Sequence, residues 1–257
     1  MFLPARVWAK LVLAVVLLML TAATAAHAAP TASFDGSIVT VDAAPGEANQ
    51  IHPKLFACPQ CGPSASLYLL QDKSFVATSG QNVIAGPGCT ADTSGNGGAL
   101  CGEAASVRVL RLSLNDGDDR ANRPDVPAPG AILPIAAVYD GGRGDDRLRG
   151  GDQADTLTGG QGNDPLSGAG GNDTITGGPG NDVLSGGDAN DMLSGGDGSD
   201  LIVGGAGADV LSGGGGNDVL RAADGTRDEV RCGTGRDRAV VDHKDVVGRT
   251  CEHVRAV

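Results

Sequence analysis

The sequence predicts an all-β fold whose main part is a parallel β-solenoid with two short repeats in each coil. Nine tandem copies of a nine-residue unit, G-G-x-G-x-D-x-U-x with U a large aliphatic residue, fill residues 141–221. A fixed short period of this kind is the signature of a repeat architecture. Aromatic residues make up only 3% of the chain and no long stretch has a helical period, so a large conventional core is not expected.

Each unit combines a glycine-rich turn with a short strand. Glycine tolerates positive φ, so the G-G-x-G-x half can turn tightly and direct its carbonyl groups inward. The x-U-x triplet that follows is extended, and its middle side chain points to the interior. Two units then form one coil of eighteen residues, and stacked coils form two parallel sheets. The predicted interior residues are Leu148, Leu157, Leu166, Ile175, Leu184, Leu193, Ile202, Leu211 and Leu220.

Aspartate occupies the sixth position of all nine copies. Turns on one edge of the solenoid are two repeats apart, so the carboxylates should form two columns. One column is Asp146, Asp164, Asp182, Asp200 and Asp218. The other is Asp155, Asp173, Asp191 and Asp209. Calcium prefers six to eight oxygen ligands, from carboxylates and backbone carbonyls, at about 2.3–2.6 Å. We therefore expect calcium ions between turns i and i+18, in up to about seven internal sites.

Calcium should also be necessary for folding. Ordering the backbone costs roughly 1–2 kcal/mol per residue, whereas burying one leucine or isoleucine returns roughly 1.5–3 kcal/mol per repeat. Without the ion, the two columns of carboxylates also repel one another. We expect the calcium-free repeats to be largely disordered and binding and folding to be one event. The affinity should be that of extracellular sites, about 10⁻⁴–10⁻³ M.

The repeat pattern resembles the RTX family, the hemolysin-type calcium-binding β-roll repeats of secreted bacterial proteins. The resemblance implies a parallel β-roll and calcium ligation by the sixth-position aspartates together with carbonyl groups of the turn glycines. The glycines so implied are Gly142, Gly144, Gly160, Gly162, Gly178, Gly180, Gly196, Gly198, Gly214 and Gly216. Gln153 and Ala189 replace the fourth-position glycine in two copies, and Ala169 replaces a second-position glycine. We expect weaker sites at those turns.

The first 28 residues are typical of a secretory signal peptide. Arg6 and Lys10 precede an apolar run at Leu11–Leu20. Ala26-His27-Ala28 is a small-x-small cleavage site. The run is short for a membrane span, which makes a membrane anchor the less favoured alternative. We expect a secreted, extracellular protein with no membrane span after cleavage. In this respect the chain resembles the RTX-like proteins that the general secretion pathway exports.

The rest of the chain divides into segments around the predicted roll at 140–221. Residues 29–114 are predicted to form a small antiparallel β region. Residues 115–139 form a proline-rich linker and a lead-in strand, in which Asn115–Asp119 looks like a fragment of a repeat turn. Residues 222–257 form degenerate repeats and a cap over the last coil. The strands predicted in the N-terminal region are Ser37–Val41, Ser66–Leu70, Gln81–Ala85 and Ser106–Leu114.

Six cysteines in a secreted chain suggest disulfides. Spacing suggests the pairs Cys89–Cys101, Cys232–Cys251 and Cys58–Cys61, the second of which would fasten the cap, although fifteen pairings are possible. The C-x-x-C sequence at Cys58–Cys61 could instead be a redox motif or part of a zinc site. No βαβ context and no second zinc knuckle accompany it, so a structural disulfide is favoured.

The net charge and the absence of catalytic motifs narrow the classes of function that the sequence predicts. The formal net charge of −12 argues against nucleic acid and favours cations as partners. The chain has no G-x-S-x-G, H-E-x-x-H or phosphate-loop motif, so we do not expect an enzyme. We expect a secreted calcium-binding protein with a structural or surface-interaction role, with an unknown cell-surface or polymer partner. The alternative is a secreted enzyme or adhesin whose activity lies in the N-terminal region.

Overall fold

The computed structural model describes residues 109–121 and 135–257, together with the backbone of seven strands between residues 31 and 101. All regular structure in these residues is β-strand, and the strands form two sheets of eleven and twelve strands. The predicted all-β solenoid is confirmed. In the part of the chain that the structure describes, no helix is long and apolar enough to cross a membrane.

The two sheets form the opposite walls of the roll, because successive strands of the repeat alternate between them. In spatial order the first sheet contains β22 (Val246–Val247), β20 (Glu229–Gly235), β18 (Val210–Gly216), β16 (Met192–Asp197), β14 (Thr174–Pro179), β12 (Thr156–Gln161), β10 (Ala136–Arg143), β8 (Val109–Ser113), β2 (Ile38–Asp42), β1 (Thr31–Phe34) and β5 (Ile84–Ala85). The second sheet contains β23 (His253–Ala256), β21 (Arg238–Val241), β19 (Val219–Arg221), β17 (Leu201–Ala206), β15 (Val183–Asp188), β13 (Pro165–Gly170), β11 (Arg147–Arg149), β9 (Arg120–Ala121), β3 (Gln50–Ala57), β4 (Ala65–Gln71), β7 (Ala99–Cys101) and β6 (Cys89–Ala91).

The coils of the repeat region stack in parallel with a step of eighteen residues. In the first sheet Leu157 is paired with Ile175, and in the second sheet Leu166 is paired with Leu184. Side chains alternate across a strand, so the eighth-position residue of every repeat points into the roll. The nine predicted interior residues are all at most 2% exposed, which confirms that prediction. The core is therefore a ladder of single aliphatic side chains between two sheets.

The N-terminal strands extend both sheets of the roll. Antiparallel pairing joins β1 to β2 and joins β3, β4, β7 and β6 in series, as expected of a small antiparallel region. However, β2 pairs in parallel with β8, and β3 pairs in parallel with β9. The predicted strand Ser106–Leu114 is observed as β8, and it lies in parallel beside β10 as a wall of the roll. The N-terminal region thus continues the stack of coils.

A coil formed by β8, a turn and β9 lies directly before the nine repeats in the stack. Asn115 and Gly117 have positive φ angles of 69° and 120°, and the turn they form leads directly into β9. The N–H group of Gly117 donates to the carbonyl oxygen of Arg143 at 2.6 Å, which fixes this turn against the first repeat. The linker boundary predicted at residue 115 falls inside this coil, and residues 122–134 lie outside the described residues.

The C-terminal end closes the stack. β20 and β21 continue the two sheets after an insertion of one residue per coil, and β22 and β23 are the last strands of each sheet. A disulfide joins buried Cys232 in β20 to Cys251, with the two Cα atoms 5.0 Å apart, as predicted. Cys89 and Cys101 are opposite each other in the β6–β7 ladder, but their side chains, the pair Cys58–Cys61 and the signal at residues 1–28 lie outside the described residues.

Candidate metal centre

In the described residues 109–121 and 135–257, twelve buried aspartates line the two turn edges of the roll, and each is at most 2% exposed. Such burial of acids is rare, because a buried carboxylate loses its hydration. We call the two columns edge one and edge two. Edge one contains Asp119, Asp146, Asp164, Asp182, Asp200, Asp218 and Asp237. Edge two contains Asp155, Asp173, Asp191, Asp209 and Asp228.

From Asp146 and Asp155 onward, one oxygen of each column carboxylate is used to hold neighbouring coils together. Oδ1 of Asp182 accepts a hydrogen bond from the backbone N–H of Asp164 at 2.8 Å, eighteen residues earlier. The N–H of Asp182 donates in turn to Oδ1 of Asp200 at 2.8 Å. Edge two repeats the arrangement, as in the 2.8 Å bond from Asp173 N–H to Asp191 Oδ1. The sixth-position residue is therefore fixed in orientation by its own column.

The second carboxylate oxygen is buried and accepts no hydrogen bond at most of these positions. A buried acceptor without a donor costs roughly 1–3 kcal/mol, and more when it is charged. Native proteins rarely leave such atoms without a partner such as a water or an ion. The aspartates with an unpartnered Oδ2 are Asp146, Asp164, Asp173, Asp182, Asp191, Asp200, Asp209, Asp218, Asp228 and Asp237.

The first glycine of each repeat makes room for this second oxygen. A Cβ atom built on Gly177 would lie less than 3.0 Å from Oδ2 of Asp182 and from the carbonyl oxygen of Gly195 in the next coil. Any larger residue at this position would therefore displace both oxygens. The sequence explains this local structure, since the first position is glycine in all nine copies. The space above eight of the nine first glycines, all except Gly204, collects a carboxylate oxygen and a carbonyl oxygen from adjacent coils.

The second and fourth glycines of the edge-one turns add two further columns of carbonyl oxygens. Gly178 and Gly180 have φ angles of 121° and 145°, a region that other residues rarely adopt. The carbonyl oxygens of Gly160 and Gly162 point from the preceding coil toward the Cα atoms of these two glycines, with no room for a Cβ between them. The same relation holds along edge one for the predicted carbonyl donors, so they face the gaps between coils.

Burial also raises the pKa of the column aspartates. The pKa rises to about 7 for Asp146, Asp173 and Asp182, with desolvation as the largest cause. The hydrogen bond from the preceding backbone N–H lowers the pKa, and repulsion from neighbouring carboxylates raises it further. For Asp191 and Asp218 the pKa rises to about 6 for the same reasons. A cation among these oxygens would offset both desolvation and repulsion.

The family model of the RTX calcium-binding nonapeptide repeat matches this part of the chain four times, at residues 138–166, 158–193, 167–202 and 194–226. This segment is an RTX repeat domain. No curated protein and no solved structure matches the chain. The resemblance read from the sequence is therefore confirmed for the repeats, and the segment matched is the one that carries the two aspartate columns.

The donor set of the RTX repeats suits a hard cation that accepts carbonyl ligands. Among the described residues, no three His, Cys, Asp or Glu side chains come together as a group that could hold a metal ion. Zinc, which takes four nitrogen, sulfur or carboxylate ligands, is therefore poorly matched. Calcium accepts several backbone carbonyl oxygens beside a few carboxylates. The gaps between coils offer that mixture, from the unpartnered Oδ2 atoms and the glycine carbonyls.

The two edges of the RTX roll are not equivalent. Within the nine repeats, every edge-one turn keeps glycine at the second and fourth positions, and all three departures lie on edge two. Ala169 and Ala189 are held at φ angles of 83° and 81°, which is strained for a residue with a Cβ. The turn with Gln153 is built differently, since the N–H of Gly151 donates to Oδ2 of Asp155 at 2.5 Å. Asp155 thus differs from the other eight predicted aspartate ligands.

Sequence reasoning missed three members of the columns. Asp119, Asp228 and Asp237 are buried and bonded like the repeat aspartates, although they lie outside the nine copies. Their spacing carried the signal: Asp119 is three repeats before Asp146, and Asp237 is nineteen residues after Asp218. Each column ends at a more exposed acid that accepts the last N–H bond. These ends are Asp245 on edge two and Glu252 on edge one.

Proposed function

We propose that this chain is a secreted, non-enzymatic calcium-binding protein whose RTX repeats fold into a β-roll when calcium enters the gaps between coils. The observation that carries the proposal is the series of buried carboxylate oxygens without a hydrogen-bond donor. These atoms make the roll unfavourable when it is empty and favourable when a cation lies beside them. The folded roll would serve as a rigid spacer or as a surface for interaction.

The proposed ligands of one gap come from two adjacent coils of one edge. For the gap between Asp164 and Asp182, they are the carboxylates of these residues and the carbonyl groups of Gly160, Gly162 and Gly178. The bound ion would supply positive charge where the protein supplies none. Magnesium should be a poor substitute, since it retains water and demands short octahedral bonds that a dry gap of fixed backbone does not offer.

The columns set an upper bound on the number of ions. The repeats alone give up to about seven gaps between successive aspartates. With Asp119 and Asp237 included, edge one has six gaps, and with Asp228 included, edge two has four. Edge one should fill at lower calcium than edge two, because its turns keep glycine at the second and fourth positions throughout.

A calcium titration of residues 29–257, followed by far-UV circular dichroism and by calorimetry, tests the proposal. We expect a cooperative gain of β signal between about 10⁻⁴ and 10⁻³ M calcium, reversed by chelator and not reproduced by magnesium. Calorimetry should then count several ions per chain. A chain that binds no calcium under these conditions would contradict the proposal, whatever its fold.

A further inference from the structure

The outer surface of the second sheet carries six arginines in two groups. The seventh and ninth positions of the repeat point away from the core on this sheet, so the ladder register places their side chains in two rows along the roll. Arg120, Arg147 and Arg149 lie at the N-terminal end of the rows, and Arg221, Arg238 and Arg255 lie at the C-terminal end. All six are exposed. We call this surface the arginine face.

The two rows of this face carry their positive charge without acidic residues of their own. From Arg120 to Arg255 the two rows contain no acidic residue, and none of the six arginines forms an ion pair among the described residues. On the first sheet, by contrast, the outward Arg231 of β20 pairs with Glu229 at 2.6 Å. The chain as a whole carries a formal charge of −12. Six unpaired cations gathered on one surface of an acidic protein therefore need an explanation other than overall charge.

Apolar side chains separate the two groups of arginines. Pro165, Val183, Leu201 and Val219 follow one another in the seventh-position row, and Val183 is 46% exposed. Arg147 and Arg238 are five strands apart, which corresponds to roughly 24 Å at the usual strand spacing. The seventh-position row of the arginine face is thus basic at both ends and apolar in the middle, whereas the ninth-position row has Ser167, Ser185 and Val203 between its arginines.

We propose that the arginine face docks on an anionic phospholipid surface. Arginine binds phosphate oxygens in a bidentate manner, and interfacial surfaces combine basic residues with apolar ones that enter the headgroup region. A linear polyanion lying along the strip would place its central charges over Val183 and Leu201, which offer no counter-charge. Mobile lipid headgroups can gather at both arginine groups while the aliphatic row enters the interface.

The docking proposal rests on the proposed function, because the roll must fold to bring these residues together. Arg120 and Arg238 are more than a hundred residues apart in the sequence, and only the stacked coils place them in the same row. Calcium should therefore control docking through folding. Because calcium can also bridge two anionic surfaces directly, the test needs variants of equal charge.

The experiment measures binding of residues 29–257 to vesicles of phosphatidylglycerol and phosphatidylcholine at saturating calcium, with circular dichroism on the same samples. The test variant is Arg147→Gln, Arg149→Gln and Arg238→Gln. The matched control replaces three exposed arginines outside the second sheet, Arg143→Gln at the end of β10 and Arg227→Gln and Arg236→Gln in loops. Each arginine near an anionic surface adds to the binding free energy. The test variant, which lacks three arginines, should therefore bind the vesicles roughly 100-fold more weakly. The control should bind like the wild type.

A second pair of variants tests the aliphatic row. Val183→Ser should weaken vesicle binding, whereas Met192→Ser, which is 59% exposed on the first sheet, should not. Equal loss in both triple variants, or binding to soluble polyphosphate in preference to vesicles, would overturn the docking proposal. A chain that folds with calcium but ignores vesicles overturns docking alone. A chain that docks through these arginines without calcium overturns the calcium switch alone.

Discussion

Replacing Asp182 by asparagine should have opposite effects on the empty and the calcium-loaded roll. Asp182 lies in the middle of edge one and borders two gaps, one with Asp164 and one with Asp200. Asparagine keeps the Oδ1 that accepts the Asp164 N–H bond. The substitution also removes a buried carboxyl group whose pKa is raised to about 7. It places an amide donor near the carbonyl oxygen of Gly195. The empty roll should therefore become more stable.

In calcium the same change should be destabilising, because two adjacent gaps lose a charged ligand. An ion present at ten times its dissociation constant stabilises the folded state by about 1.4 kcal/mol per site. Loss of both sites would then cost about 3 kcal/mol of the free energy of unfolding. The calcium midpoint should rise several-fold, and the number of ions bound should fall by two.

The assay is a calcium titration by far-UV circular dichroism, with calorimetry to count ions and urea unfolding at fixed calcium to measure stability. The control is Asp197→Asn, which removes an exposed carboxylate from a turn on the same edge. We expect this control to follow the wild type. An Asp182→Asn chain that binds as many ions with the same midpoint would refute the assignment of the column as the metal site.

Three further predictions concern pH, turn strain and the cap. The raised pKa values mean that the column acids destabilise the empty roll above about pH 7, and that this effect is relieved as the pH falls toward 3.8. Acidification without calcium should therefore increase β signal by circular dichroism, and proton competition should raise the calcium midpoint. Ala189→Gly should stabilise the folded roll by about 1 kcal/mol in urea unfolding, since it removes a positive-φ residue with a Cβ. The double change Cys232→Ser and Cys251→Ser should lower the free energy of unfolding by about 3 kcal/mol, because it removes the disulfide that fastens the end of the stack. This loss should be measured as a higher calcium midpoint.

Each of these predictions has a contrary outcome. A calcium midpoint that does not change between pH 8 and pH 5 would mean that the column acids do not compete with protons for the ion. Ala206→Gly, at an exposed third position without a positive φ, is the control for Ala189→Gly and should be neutral or slightly destabilising. If reducing agent raises the calcium midpoint of the wild type and of the double serine variant equally, loss of the disulfide is not the cause of the higher midpoint.

The period of the repeat was sufficient to predict the local structure of the roll. Glycine at fixed positions indicated turns, and the aliphatic residue at the eighth position indicated the inward side of each strand. The predicted interior from Leu148 to Leu220 is confirmed because a strand offers only two orientations for a side chain. The two columns of aspartates followed from the same step of eighteen residues.

The sequence was less informative where the period is interrupted. Asp119 belongs to edge one, yet its coil is separated from the first repeat by residues that break the pattern. β8 resembles an ordinary antiparallel strand by its alternation, and only its neighbours β2 and β10 make it a parallel wall of the roll. Alternating side chains specify which sides of a strand are buried, but they do not specify which strand lies beside it.

By itself the sequence determined the solenoid, its step, its core residues and the residue type that lines its edges, since these depend only on a period that local geometry repeats. The tertiary structure decided which oxygens lack a partner and how far the columns extend. It also showed that Asp155 differs from its neighbours, because Gly151 donates to its second oxygen. The arginine face likewise exists only after stacking, because parallel pairing in register brings together side chains that are distant in the chain.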